Sequence, residues 1–418
     1  MAIAVGILIT LTFPSEAGAA SFTVTEGGDY PLDTSPGVTS LGACECKSTA
    51  TGHPCTLRAA IQASNACASS SDTITVSSSV SILRLTIDGA VEDSAASGDL
   101  DIVRHPTYGA SGAKTVVINL GNYTLNNWFT TEQDRFFDIP ATEDDLTVYI
   151  SAGHLYEGEA PDPSSTVSGD EERGGCLRAL AGTVILSTLH FDSCKAYYQG
   201  GAIYANDIHL EIYNADIGYN GLPVPSPAPV IYSPEGGALY AYNSTVEIYT
   251  SDFFANGLNG SDEGGAIYVE ASYDSEYEYG GNSIIIDSTT IAANGTKSRG
   301  GGAVIRAPFL IEETEVIDNY AVDGVAEGAG LYIEVPNYSQ ALQYIASSYI
   351  EGNYDASDGG GIWAGSGTAF GMFDTEVTLN EAENGGGVFL NNAELFTTSS
   401  ILRLNRAELG GGIHLVEG

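Results

Sequence analysis

Apolar and polar residues alternate along short stretches of this chain, as in Val246, Glu247, Ile248 and Tyr249, or Ile208, His209, Leu210, Glu211, Ile212 and Tyr213. A period of two sends neighbouring side chains to opposite faces, so each stretch predicts a strand with one buried face. Past residue 70 no segment carries a helical stripe. Instead a glycine-led phrase recurs: QGGAIYA at 199–205, EGGALYA at 235–241, EGGAIYV at 263–269, DGGGIWA at 358–364, NGGGVFL at 384–390 and LGGGIHL at 409–415.

Aligned on the aliphatic residue that follows the glycines, the repeats fall at Leu177, Ile203, Leu239, Ile267, Val304, Leu331, Ile362, Val388 and Ile413. The intervals are 26, 36, 28, 37, 27, 31, 26 and 25 residues. A polar residue travels with them: seventeen positions after the aliphatic stand Cys194, Asn220, Asn256 and Asn405, and Asn294, Asn319, Asn353 and Asn380 serve the units of other spacing. A period of about 25 residues with insertions is that of one coil of a parallel β-helix. The glycines then sit where a tight bend needs positive φ. The asparagines read as a structural ladder, tolerating a left-handed turn and passing amide hydrogen bonds from coil to coil.

The slot after each aliphatic must face away from the core, and it holds Tyr204, Tyr240, Tyr268, Ile305, Tyr332, Trp363, Phe389 and His414. At roughly 4.8 Å per coil these rings form a column with two readings. Tyr204, Tyr240, Tyr268, Tyr332, Trp363 and Phe389 offer a platform for sugar rings or a partner's apolar groups, or they shield a sheet face.

Upstream, CTLRAAIQASNA at 55–66 places Leu57, Ala60, Ile61 and Ser64 on one side of a short helix that Thr56 caps. Such a helix would cover an open end of the solenoid. The division is residues 1–20 as a signal peptide, 21–100 as cap and first coil, 101–173 as irregular coils with loops, and 174–418 as regular coils. Two insertions, 222–235 and 271–282, interrupt those coils and are places for binding loops. The last unit, GGGIHLVEG, predicts either a longer polypeptide or an end closed by another subunit.

Composition narrows the partners. The 418 residues are 43% apolar with 51 glycines, enough for a large core, and the net charge is −40. That charge repels nucleic acid and anionic lipid, and leaves calcium as the conceivable ion. No later segment is long and apolar enough to span a bilayer. The apolar run Ala2–Phe13 followed by small residues reads as a secretory signal. Six cysteines suit export. Cys44, Cys46, Cys55 and Cys67 crowd together with open connectivity, and Cys176 and Cys194 form a plausible pair.

The glycine phrase, paired with an aromatic-x-x-Asn motif kept in full at Phe253 and Asn256, resembles the repeat of the chlamydial polymorphic outer-membrane proteins and of other right-handed β-helix proteins. CTLRAAI at 55–61 and SGDLDI at 97–102 resemble the CSLREA-type start of secreted β-helix proteins. The resemblance implies an all-β, right-handed parallel β-helix with a short capping helix, secreted or on the outer-membrane surface. It also implies an adhesin-like passenger that binds polysaccharide or a neighbouring cell's surface protein. The same scaffold carries polysaccharide lyases and hydrolases. Here lysine occurs only at 47, 114, 195 and 297, and no clustered carboxylates stand at matching positions, so no residue is assigned to catalysis. A structural spacer is the third alternative. Arg306, in an otherwise aliphatic slot, has no explanation at this level.

Overall fold

The computed structural model describes residues 18–37, 39, 44–89, 95–104, 112–128, 134–161, 172–221, 224–225, 231–232, 234–258, 261–272, 282–322, 324, 326–335, 343–365 and 367–416. Most of residues 1–20, read above as a signal peptide, and of the two insertions lies outside these residues.

Among the described residues the strands form three parallel sheets of 20, 11 and 6 strands, and Val224–Pro225 pairs with Ile231–Tyr232 in an antiparallel hairpin. The architecture is a parallel β-helix. From Gly174 to Thr398 each coil places one short strand in the 11-stranded sheet directly after its glycines, then turns into the 20-stranded sheet, where Leu210, Val246, Ile284 and Phe309 stack in register. Inward residues are shut away from solvent: Leu177, Ile203, Leu239, Ile267, Leu331, Ile362 and Val388 are all 0% exposed. Burying each such side chain contributes about 1.5–3 kcal/mol.

One register differs from the sequence reading. Ile267 pairs with Ala303, and Tyr268 with Val304, so Val304 occupies the outward column and Ile305 points inward at 0% exposure. The run Gly300–Gly302 causes the shift. Its third glycine takes the place that Ala266 holds in the coil before, and Ala303 takes the aliphatic's place.

The glycine pair has two separate causes. Gly236 has φ +64°, and a Cβ on Gly237 would lie 2.1 Å from the carbonyl oxygen of Gly265 in the next coil. The first glycine makes the bend, and the second lets backbones stack.

The asparagines run as one ladder from Asn220 to Asn405. Asn256 Nδ2 donates to Asn294 Oδ1 (3.1 Å) and to the carbonyl of Ile217 (2.8 Å), and its Oδ1 accepts from the backbone and side chain of Asn220 (3.0 and 3.1 Å). Asn294, Asn319, Asn353 and Asn380 repeat the pattern, and Asn405 receives from Asn380. The left-handed residue is not the asparagine but the one before it: Tyr219, Ala255, Ala293, Asp318, Gly352, Leu379 and Leu404 all have positive φ. Cys194 continues the column downward, its N–H donating to Asn220 Oδ1 (2.9 Å).

Three disulfides close: Cys44–Cys67, Cys46–Cys55 and Cys176–Cys194. They are the chemistry of an oxidising compartment. The helix Leu57–Ala66 starts on Thr56, whose Oγ1 accepts from Ala59 N (3.2 Å). It is buried on nearly every side rather than one, because Arg58 and Asn65 also point into structure. Arg58 pairs with Asp29 through two bonds (2.6 and 3.1 Å) and donates to the carbonyls of Ala95, Gly98 and Asp99. No described helix is long and apolar enough to cross a membrane.

Candidate functional site

The outward column of the 11-stranded sheet runs Asp101, Asp138, Arg178, Tyr204, Tyr240, Tyr268, Val304, Tyr332, Trp363, Phe389 and His414. Its rings point away from the interior, but they do not form an open platform. Tyr204, Tyr240, Tyr268, Tyr332, Trp363 and Phe389 are only 2–7% exposed. Parallel stacking uses up their faces: centroids lie 5.6 Å apart for Tyr204–Tyr240, 4.8 Å for Tyr240–Tyr268 and 4.3 Å for Tyr332–Trp363. A sugar ring finds no free face here.

Val304 breaks this stack, and Arg306 repairs it. Its guanidinium lies 5.3 Å from the Tyr268 centroid and 5.4 Å from that of Tyr332, so it occupies the level that lacks a ring. Its Nη1 donates to the Tyr268 hydroxyl and pairs with Glu263 (2.9 Å), while Nε reaches Glu334 (3.4 Å). The Tyr268 hydroxyl in turn donates a hydrogen bond to Glu270 (2.6 Å), and that of Tyr332 to Glu334 (2.9 Å). Burial and the accepting carboxylates hold both phenols far above their ordinary range.

At the foot of the column four carboxylates gather. Asp138 is gripped by Arg178 (2.8 and 2.6 Å), Asp99 meets Arg135 (3.3 Å), Asp101 accepts from Ala95 N (2.7 Å), and Asp134 accepts from the N–H groups of Asp99 (3.2 Å) and Arg135 (2.9 Å). Oxygens of Asp99, Asp101 and Asp138 lie within 4.8 Å of one another, a spacing that a hard cation such as calcium can bridge. Yet all four residues are at most 4% exposed, and two arginines already face them. Protons supply the remaining balance: desolvation raises Asp99 well above the carboxylate range and Asp134 to about 6, with neighbouring aspartates adding to both. Sequence reasoning missed this cluster. The signal was that SGDLDI and RFFDI enter the same strand slot as GCLRA.

On the outer face of the long sheet, Tyr213 and Tyr249 stack at 5.1 Å and 10°. Each donates its hydroxyl to the glutamate two residues back, Glu211 (2.7 Å) and Glu247 (2.8 Å), and His209 reaches Glu211 at 2.8 Å. All five are half-buried, and Glu211 lies beside Glu247 in register. Desolvation, then the glutamate bonds, raise both phenols.

No family model, curated protein or solved structure matches this chain.

Proposed function

We propose that this chain is a surface-displayed or secreted β-helical binding protein, of the kind its repeat phrases resemble, and that the outer face of the long sheet engages a neutral glycan. One observation carries the reading: the stacked pair Tyr213–Tyr249, with Glu211 and Glu247 beside it, repeats the same half-exposed unit on successive coils. Carboxylates accept from sugar hydroxyls, and ring edges and outer rims give apolar contact. The two units, at roughly 4.8 Å, offer a glycan a pair of adjoining footholds, flanked by Ile185 and Ser187 on one side and Ile285 and Asp287 on the other. The charge of −40 turns away acidic polymers unless a cation intervenes. The three disulfides fit a protein that works outside the cytoplasm.

The test is co-elution of residues 20–418 with neutral and acidic polysaccharides on gel filtration, with and without calcium. Binding of a neutral polymer, lost in Tyr213→Ser/Tyr249→Ser at unchanged melting temperature, supports the proposal. Shortened polymer would make the protein an enzyme, and intact polymer that never co-elutes would redirect the search to protein partners.

A further inference from the structure

We propose that His154, His190 and Asp192, with Asp216 behind them, bind one divalent transition-metal ion of the zinc, nickel or copper class. The register builds the site. His154 lies beside His190, and His190 beside Asp216, in one outward row, and the next row places Tyr156 beside Asp192 and Asp192 beside Gly218. These residues line a surface groove of about 260 Å³. Gly218 carries no side chain at its floor, and the ring of Phe254 fills the space where one would project.

Donor chemistry selects the ion. Two imidazoles with a carboxylate are borderline ligands that favour zinc, nickel or copper, whereas calcium prefers an all-oxygen set. The imidazole centroids lie 5.8 Å apart at 68°. Two histidines sharing one tetrahedral ion, with metal–nitrogen bonds of about 2.0–2.1 Å, place their centroids roughly 5 Å apart, so the rings draw slightly closer on binding. His190 Nδ1 sits 2.8 Å from Asp216 Oδ2, which fixes Nδ1 as the protonated nitrogen and turns Nε2 into the free donor. Asp192 Oδ2 lies 4.0 Å from His154 Nε2, and since the ligand atoms of the three side chains do not all lie within 4.8 Å of one another, these half-exposed side chains rotate inward on binding. The four side chains are 35–55% exposed, so an ion and its waters have access from solvent.

Isothermal titration of the chelator-treated chain with zinc chloride, and separately with nickel chloride, tests this. One ion per chain is expected, with binding abolished in His154→Ala/His190→Ala and retained in His53→Ala. Asp216→Asn should weaken binding roughly 10–100-fold at the same stoichiometry, as loss of an orienting carboxylate does. Melting temperatures in chelator check that the variants fold, and His154→Gln/His190→Gln replaces the alanine pair if that one does not. No binding, unchanged binding in the double variant, or displacement by millimolar calcium would each overturn the proposal.

Discussion

Arg306 donates to the hydroxyl of Tyr268, 38 residues earlier in the chain, and by doing so carries the ring column across the one level where Val304 supplies no ring. A guanidinium is flat, stacks on aromatic faces and pairs with carboxylates at its edge. Lysine has the charge without the plane. Arg306→Lys should therefore lose about 1–2 kcal/mol and Arg306→Ala about 2–4 kcal/mol, since the alanine leaves Glu263 and the Tyr268 hydroxyl short of a donor. Restoring a ring with Val304→Tyr in the alanine background should recover only part of this. Urea melts of the three variants read the differences.

The asparagine ladder makes a sharper demand. Asn256→Ala strips acceptors from Asn220 and donors from Ile217 and Asn294, all at a corner where Asn256 itself is 0% exposed. A loss of about 2–4 kcal/mol is expected. Asn256→Asp keeps the acceptor but places a charge there without a cation, and should cost at least as much at neutral pH and less in acid. Thermal melts at two pH values separate the two variants.

The same corners also contain removable strain. Leu379 has φ +57° and its side chain is 52% exposed, so it lends little burial while holding a conformation that L residues disfavour by about 1–2 kcal/mol. Leu379→Gly should leave stability unchanged or raise it by up to about 1 kcal/mol, against the usual direction for deleting a leucine. A higher denaturant midpoint at equal slope would show it, and a clear loss would mean that the side chain packs more than its exposure implies.

The buried acid cluster predicts how stability follows pH. Asp134 titrates at about 6 in the fold against an ordinary 3.8, so the folded state binds the proton more tightly than the unfolded one. The resulting stabilisation, of order 3 kcal/mol, is complete below the ordinary value and disappears as pH rises through about 6. Asp99, also raised and facing Asp101, Asp138 and Arg135, adds to it in the same direction. Melting temperature should fall between pH 4 and 7, and Asp134→Asn should flatten that slope.

The repeat was legible because stacking imposes one chemical identity on each position of every coil. Inward aliphatics, bend glycines and corner asparagines all recur at a readable period, and the pair Cys176–Cys194 was legible because it fills the alanine and asparagine slots of one such unit. What escaped was whatever depends on neighbours from other coils. Alternation sends Tyr240 outward but does not reveal that Tyr204 and Tyr268 cover its faces. A third glycine at 302 moved the register by one residue, since nothing in GGGAVIR says whether glycine or alanine fills the alanine slot. Asp99 and Asp101 meet Asp134 and Asp138 of the next coil, and His154, His190 and Asp216 of three successive coils meet, only through register. Arg306 looked anomalous for the same reason: its partners lie one coil below and one coil above.

Thirteen residues separate Gly221, at the corner of one coil, from Glu235, which bridges to Gln199 at the start of the next strand slot. The corner amide at Asn220 and the next glycine pair take their places whatever length of chain runs between them. Each coil is thus a socket with fixed contacts and a variable lead. A foreign peptide spliced between Gly221 and Glu235 would be carried at a set height along the rod, which makes this protein a ruler on which recognition segments can be mounted at chosen intervals.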